Sequence, residues 1–153
     1  MKLAKLRASL INQGIDALLI TNDYNRRYMT GFTGTAGVAV VSQNDAVFIT
    51  DFRYTEQAAE QVKDFRIVQH TATIFAEVAA QAALMGVKTL GFEKDTMTYG
   101  MFELYNKAVK AEFVPVSGLV EKIRLIKTPE EITIIKAACE IADNAFTHIL
   151  GFI

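Results

Sequence analysis

The residues most suggestive of chemistry form a glycine-rich stretch at 25–37, Asn-Arg-Arg-Tyr-Met-Thr-Gly-Phe-Thr-Gly-Thr-Ala-Gly. A phosphate-binding loop uses such glycines, but it also needs a helix that starts directly after the loop and points its N-terminus at the anion. Here an apolar run typical of a strand, 38–41, follows instead, and the lysine of a Walker loop is missing. The pattern therefore favours a turn in which glycine supplies positive φ. Tyr28 and Phe32 remain candidates to line a surface.

A second candidate is the segment Thr50-Asp51-Phe52-Arg53-Tyr54, where a predicted strand passes into a predicted helix. Asp51 is placed to cap that helix and to pair with Arg53, which would be a structural role. Loops at strand ends are also where α/β domains carry their sites. Arg53 therefore remains a candidate to bind an anion.

Metal-ligating and nucleophilic residues follow no recognised spacing. The two histidines, at 70 and 148, are too far apart to form a helical pair, and neither HExxH nor GxSxG occurs. Four carboxylates at predicted strand ends could form a two-metal cluster of the nuclease kind, although each has a turn or capping explanation: Asp16, Asp51, Glu93 and Asp95. The residues by themselves predict neither a catalytic set nor a metal site.

Composition narrows the class of protein. The chain has 153 residues, 51% of them hydrophobic, and a net charge of −1, which favours a folded domain over disorder. That charge argues against a nucleic-acid binder with a basic surface, and no apolar run approaches the roughly 18 residues of a membrane span. A single cysteine excludes an internal disulfide and fits a reducing compartment. We therefore expect a cytoplasmic protein with no nucleic-acid and no membrane partner.

The elements that must position these residues alternate along the chain. Apolar spacing predicts helices near 3–10, 54–62, 74–85 and 101–108, and strands at 15–20, 38–41, 47–50, 66–69, 87–92 and 112–116. The polar turn at 42–45 predicts that the second and third strands are antiparallel. Because strands separated by helices form a sheet covered on both faces, we expect a three-layer α/β/α fold with a mixed sheet of about six strands.

The last segment differs from the rest. Thr128-Pro129-Glu130-Glu131 combines a capping hydroxyl, a proline at the first helical position and a glutamate at the third, which predicts a helix start. An apolar stripe follows over about five turns: Ile132, Ile135, Cys139, Ala142, Phe146 and Ile149. A stripe of that length needs a partner surface. We therefore expect one domain at 1–127 and the first helix of a second domain at 128–153, the alternative being a terminal helix packed on the sheet.

Taken in order, the motifs resemble those of a known family. The segments NRRYMTGFTGTAG, FITDFRYTEQA, IRLIKTPEEI and IADNAF resemble the N-terminal half of bacterial Xaa-Pro dipeptidases and aminopeptidases, the creatinase/prolidase family, over essentially the whole chain. The specific part of the resemblance is the combination of the glycine-rich motif at 28–34 with the TDxRY motif at 50–54. The segment 124–131 resembles the junction that leads into the family's catalytic domain.

The resemblance implies an N-terminal domain related to the ribonuclease H-like fold, followed by a catalytic domain of pita-bread fold. In the family that second domain holds two divalent metal ions, commonly manganese or cobalt, on two aspartates, one histidine and two glutamates, and no position of this sequence matches those ligands. The family's N-terminal domain contributes to dimerisation and helps to shape the substrate site. The resemblance thus implies a homodimeric metallopeptidase that hydrolyses peptide bonds involving proline, of which this chain alone would be an inactive part.

By position, Tyr28, Phe32 and Arg53 are the residues that we expect to wall the substrate site, because they are aromatic or cationic and lie in strand-end loops. The alternative function is a stand-alone α/β module that binds a small molecule or a protein partner. The coding sequence downstream of Ile153 separates the two, since only the peptidase continues into a segment with the five metal ligands.

Overall fold

The computed structural model describes residues 2–152, and this range contains six strands and seven α-helices. The strands are β1 (Ala17–Ile20), β2 (Val38–Ser42), β3 (Ala46–Thr50), β4 (Arg66–Gln69), β5 (Thr89–Glu93) and β6 (Glu112–Val116). The helices are α1 (Lys2–Gln13), α2 (Asp23–Thr30), α3 (Thr55–Gln61), α4 (Ile74–Leu84), α5 (Tyr99–Ala108), α6 (Leu119–Leu125) and α7 (Pro129–Leu150). The chain divides between Ile123 and Arg124 into two compact units.

The six strands form one mixed sheet in the order β4-β3-β2-β1-β5-β6, which confirms the predicted strand number and class. β2 is antiparallel to both β1 and β3, whereas the pairs β3–β4, β1–β5 and β5–β6 are parallel. The predicted hairpin turn joins β2 to β3, where the Ser42 amide donates to the Asp45 carbonyl at 2.9 Å. This hairpin is what makes an otherwise parallel sheet mixed.

Helices cover both faces of the sheet, because strand side chains alternate between two apolar cores. Leu18 and Ile20 of β1 join the core formed with α1, α2, α3 and α6. Ala17 and Leu19 of the same strand join the core formed with α4 and α5. Since both faces are buried, β1 reads as a continuous apolar run. The result is the three-layer α/β/α architecture that the sequence predicted.

Two helices were not predicted from the sequence. α2 overlaps the stretch at 25–37 that was interpreted as a turn. Asn22 caps its start with a side chain that accepts a hydrogen bond from the Asn25 amide, and Gly31, with φ +79°, caps its end. Its buried residues are mostly polar, so apolar spacing gives no signal: Asn25, Arg26, Met29 and Thr30. α6 has only seven residues and starts three residues after β6, so its apolar pattern merges with that of the strand.

The last unit contains α7, whose start matches the prediction. The Thr128 hydroxyl accepts from the Glu131 amide at 3.3 Å, and the Glu131 carboxylate accepts from the Thr128 amide at 3.0 Å. These reciprocal bonds form a capping box, with Pro129 in the first turn. Side chains of the apolar stripe, Ile135 and Phe146 among them, are exposed. Among the described residues, no helix has both the length and the apolar character that crossing a membrane requires.

A glycine substitution tests the packing beneath β2. Gly37 has φ +146°, and a Cβ there would lie 2.6 Å from the Phe48 ring and 2.9 Å from the Ile49 carbonyl oxygen. We expect Gly37→Ala to lower the free energy of unfolding by about 3 kcal/mol, because backbone strain adds to overpacking. Gly86→Ala is the matched control, since Gly86 has φ +67° with open space around it. It should cost about 1 kcal/mol in urea unfolding; equal costs would contradict the packing argument.

Candidate functional site

The carboxyl edge of the sheet gathers the loops that could form a site. β1, β3, β4, β5 and β6 all end at this edge, and β2 starts there because it is antiparallel to its neighbours. In open α/β sheets, ligands bind at this edge where the strand order reverses. Here the order reverses between β1 and β5, since the chain proceeds in one direction from β1 to β4 and in the other from β5 to β6.

The crevice between β1 and β5 is filled by the protein's own polar side chains. Glu93, at the end of β5, accepts hydrogen bonds at 2.8 Å from the backbone amides of Thr21 and Asn22. Its other carboxylate oxygen accepts from the Asn25 side-chain amide at 2.6 Å. The same Asn25 nitrogen donates to the Glu121 carboxylate of α6 at 2.6 Å. One buried amide therefore links α2 to both β5 and α6.

These contacts leave no room for a substrate at the switch point. The cavity beside Glu93 measures about 10 Å³, close to the space that one water molecule occupies. Burial raises the pKa of Glu93 and the nearby charge of Glu121 adds to that rise, while the bonds from Asn22, Asn25 and Thr21 oppose it. A carboxyl with a raised pKa in a cleft suggests an acid–base catalyst, but Glu93 is closed in by its hydrogen-bond partners. Its position indicates a structural role.

The four carboxylates considered for a metal pair do not converge. Asp16 lies at the opposite edge, where it accepts hydrogen bonds from the amides of Lys88 and Thr89. Asp51 pairs with an arginine and Asp95 accepts from Ser117. Within residues 2–152, no three side chains of metal-ligating type come together. The described residues therefore do not form the two-metal cluster of the nuclease kind that these four carboxylates could have formed.

A second part of the carboxyl edge is open to solvent, and it consists of the loop 31–37 and the β3 end at 50–54. The Thr35 hydroxyl lies 2.7 Å from the Tyr54 hydroxyl, and the Thr50 hydroxyl donates to the Ala36 carbonyl at 2.8 Å. Thr33 donates its amide to the side chain of Gln61 in α3 at 2.9 Å. These bonds connect the loop to the elements that flank it and hold its hydroxyls in place.

The aromatic residues predicted to wall a site lie beneath or beside this loop. Phe32 is fully buried, with its ring centroid 4.6 Å from that of Phe48 and 5.7 Å from that of Tyr54. A Cβ at Gly34 would overlap the Phe32 ring, so the glycine allows the loop to fold over it. Tyr28 is half-buried, and its hydroxyl donates to the Ile123 carbonyl of α6 at 3.5 Å. Phe32 thus supports the half-buried Tyr54, whereas Tyr28 packs toward α6.

Arg53 is the exposed member of the predicted set. Its Nε and Nη2 donate to the Asp51 carboxylate at 2.9 and 2.8 Å, and Asp51 also caps the turn at Phe52–Tyr54. The predicted cap and ion pair are therefore present. The hydrogen bonds from Arg53 lower the pKa of Asp51 to about 2. The guanidinium carbon also lies 5.4 Å from the centroid of the Tyr54 ring. Because Nε and Nη2 are the two nitrogens that bind Asp51, Nη1 is the nitrogen on the other side of the guanidinium plane.

Sequence reasoning missed the hydroxyl groups of this surface. Thr33, Thr35 and Tyr54 flank the residues that were selected, but isolated hydroxyls carry no spacing that distinguishes a site from a turn. Tyr54 could have been included from its place beside Arg53 in the TDFRY segment. The arrangement can offer hydroxyls and one guanidinium nitrogen to a polar or anionic ligand, and it contains no nucleophile–base pair.

The Glu93 network yields a test of pH dependence. A raised folded-state pKa means that the folded protein binds the Glu93 proton more tightly than the unfolded chain. The destabilisation by ionised Glu93 is therefore relieved as the pH falls through its folded pKa toward 4.5. The quantity to measure in urea titrations is the unfolding free energy of the natural chain minus that of Glu93→Gln. We expect this difference to increase as the pH is lowered from 7 to 4.5.

Asp16→Asn is the matched comparison for this titration. Hydrogen bonds from the backbone of Thr89 and Lys88 lower the pKa of Asp16 below 3.8, so its stabilisation is lost as the pH falls through that lowered value. The unfolding free energy of the natural chain minus that of Asp16→Asn should therefore decrease as the pH is lowered toward 3. This change is opposite in direction to the one expected for Glu93→Gln. If both free-energy differences changed in the same direction as the pH is lowered, the assignment of a raised pKa to Glu93 would be contradicted.

Comparison with known proteins connects this architecture to peptidases. Residues 2–126 match the Creatinase/Prolidase N-terminal domain family. An uncharacterized peptidase, YqhT of Bacillus subtilis, is 54% identical over 153 residues, which cover 99% of this chain and 43% of that protein. The Xaa-Pro dipeptidase of Pyrococcus horikoshii is 32% identical over 151 residues, covering 94% of this chain and 40% of that protein. The chain thus spans less than half the length of these curated relatives.

Solved structures agree with the sequence relatives. An Xaa-Pro dipeptidase from Bacillus anthracis superposes with a TM-score of 0.97 at 54% identity, over 99% of this chain and 43% of that one. The N-terminal domain of the cytoplasmic peptidase PepQ from Mycobacterium tuberculosis gives a TM-score of 0.73 at 36% identity, over 79% of this chain and 96% of that one. These matches confirm the resemblance in the motifs: the chain belongs to the Creatinase/Prolidase N-terminal domain family.

Proposed function

We propose that this chain is the non-catalytic N-terminal domain of a metal-dependent Xaa-Pro peptidase and that it helps to shape the substrate site and the dimer. The observation that carries this proposal is the TM-score of 0.97 to an Xaa-Pro dipeptidase of which the chain covers only 43%. In the longer protein, residues 1–127 would form this domain and 128–153 the first helix of the catalytic domain.

The hydrolytic chemistry is assigned to the remainder of that longer protein. The two divalent ions, manganese or cobalt, that the family resemblance implies find no suitable ligand set among residues 2–152. The polar crevice at the switch point supports the same division, because Asn25 and Glu93 fill it. The role of this chain would then be to limit the access of a proline-containing peptide to the catalytic site and to orient the peptide there.

Arg53 is the side chain best suited to contact such a peptide. Asp51 holds two of its nitrogens, so the guanidinium plane is fixed and Nη1 is directed elsewhere. A guanidinium nitrogen in a fixed plane is a good donor to a carboxylate, such as the terminal carboxylate of a short peptide. Tyr54 and Thr35 extend this surface. Phe32 supports the wall from below, and Tyr28 holds the end of α2 against α6.

The homodimer and a cytoplasmic location are also part of the proposal. Support for the dimer comes from the family resemblance, in which the N-terminal domain contributes to dimerisation. Support for the location comes from the single cysteine of this sequence and from the relative described as a cytoplasmic peptidase.

An arginine substitution tests the substrate contact. In the longer peptidase that contains this chain, we expect Arg53→Ala to raise KM for an Xaa-Pro dipeptide by about three- to tenfold with little change in kcat, because a charge-assisted hydrogen bond to bound substrate is lost. Steady-state kinetics measure KM and kcat, and sedimentation velocity measures the oligomeric state of the same samples. Arg27→Ala is the control, because it removes an exposed arginine that lies in α2 and not beside Asp51. It should leave KM unchanged. Unchanged kinetics with unchanged assembly in Arg53→Ala would count against the contact.

The exposed stripe of α7 gives a prediction about association. Each large apolar side chain left in water forfeits about 1.5–3 kcal/mol of burial, and Ile135 and Phe146 are among those exposed here. We expect the 153-residue chain to self-associate through α7 in sedimentation velocity. A version limited to residues 1–127, which lacks α7, should sediment in a lower oligomeric state than the 153-residue chain. A strictly monomeric 153-residue chain would contradict this prediction.

A further inference from the structure

Arg26 is a charged residue buried inside α2. It is only 4% exposed, and charged side chains are rarely buried to this extent without partners. Nη1 donates to the Gly37 carbonyl at 2.8 Å and lies 2.9 Å from the Asp23 carboxylate. Nη2 donates to the Gly34 carbonyl at 2.8 Å. Two of its three partners are therefore neutral carbonyl groups of the loop 31–37.

The planar guanidinium determines the distance between these two carbonyl groups. Its two terminal nitrogens are fixed in one plane, whereas a lysine ammonium is a single point charge on a flexible stem. Gly34 and Gly37 bracket the exposed Thr35. Binding both carbonyls to one rigid group therefore fixes the conformation of the segment that carries the Thr35 hydroxyl.

The hydrogen bonding of Arg26 is incomplete. Within residues 2–152, its buried Nε has no acceptor. A buried donor without a partner is costly and calls for an explanation beyond fold stability. The two terminal nitrogens of Arg26, in contrast, both donate to carbonyl groups of the loop.

The effect of Arg26 extends to the exposed surface. Thr35 lies within hydrogen-bonding distance of Tyr54, with 2.7 Å between the two hydroxyl oxygens. The Tyr54 ring in turn lies beside the Arg53 guanidinium, with 5.4 Å between the ring centroid and the guanidinium carbon. The loop conformation set by Arg26 thus sets the position of the hydroxyl pair beside Arg53.

We infer that Arg26 is a positioning residue: by bridging the Gly34 and Gly37 carbonyls, it orders the loop 31–37 and thereby sets the affinity of the peptidase for its peptide substrate. The second part rests on the proposed function, whereas the ordering of the loop does not. Lysine should not substitute for Arg26, because it keeps the charge but cannot bridge the two carbonyls.

Hydrogen exchange of the 153-residue chain tests the ordering of the loop. In Arg26→Lys, the amides of Phe32 and Thr33 should exchange about tenfold faster, while the amides of β2 and β3 keep their rates. Arg27→Lys makes the same chemical change at the exposed neighbouring position and should leave all of these rates unchanged. Asp23→Asn removes the ion pair alone and should also leave the loop protected. Unchanged loop exchange in Arg26→Lys overturns the inference.

Kinetics of the longer peptidase test the link to substrate. Arg26→Lys should raise KM for an Xaa-Pro dipeptide about three- to tenfold with kcat within about twofold, and Arg27→Lys should leave both constants unchanged. If Arg53→Ala raises KM and Arg26→Lys does not, the positioning role is overturned while the proposed function stands. If neither variant changes KM although the loop exchanges faster, the proposed substrate wall is what fails.

Discussion

Burial of the Glu93 carboxylate is the constraint on which the arrangement of the carboxyl edge depends. Glu93 lies where the strand order reverses, and an ionised carboxylate taken out of water requires compensating donors. Two backbone amides and the side chain of Asn25 supply them. Because these donors belong to the turn after β1 and to α2, satisfying Glu93 requires that α2 close over the end of the sheet. The same Asn25 amide then reaches α6 through Glu121.

Because this crevice is closed, the neighbouring loops carry the exposed polar groups of the carboxyl edge. Open α/β sheets usually leave the switch point free for a ligand, but here the space beside Glu93 is about 10 Å³. The exposed polar groups lie instead on the loop 31–37 and the end of β3, over a base of packed aromatic rings formed by Phe32, Phe48 and Tyr54. A surface of this kind supports the proposal that the domain contributes a wall to a site whose chemistry is performed elsewhere.

Much of the fold could be predicted because its signals are local. The β2–β3 hairpin follows from the polar turn between two apolar runs, and the start of α7 follows from Thr128 and Glu131, three residues apart. α2 could not be predicted in this way, since its buried face carries Asn25 and Arg26 rather than apolar residues. Of the candidate site, the Asp51–Arg53 pair was predictable because the two residues are neighbours in a turn.

The sequence by itself determined the three layers, the mixed sheet and the kinship with the N-terminal domains of proline peptidases, since apolar alternation, caps and motifs all act within a few residues. Only the tertiary structure decided which polar side chains are buried and which are exposed. Asn25 and Glu93 are 68 positions apart, and Phe32, which looked like a surface aromatic, lies in the core. The physical reason is that the burial of a polar or aromatic group depends on partners that distant segments provide, and no local pattern specifies those partners.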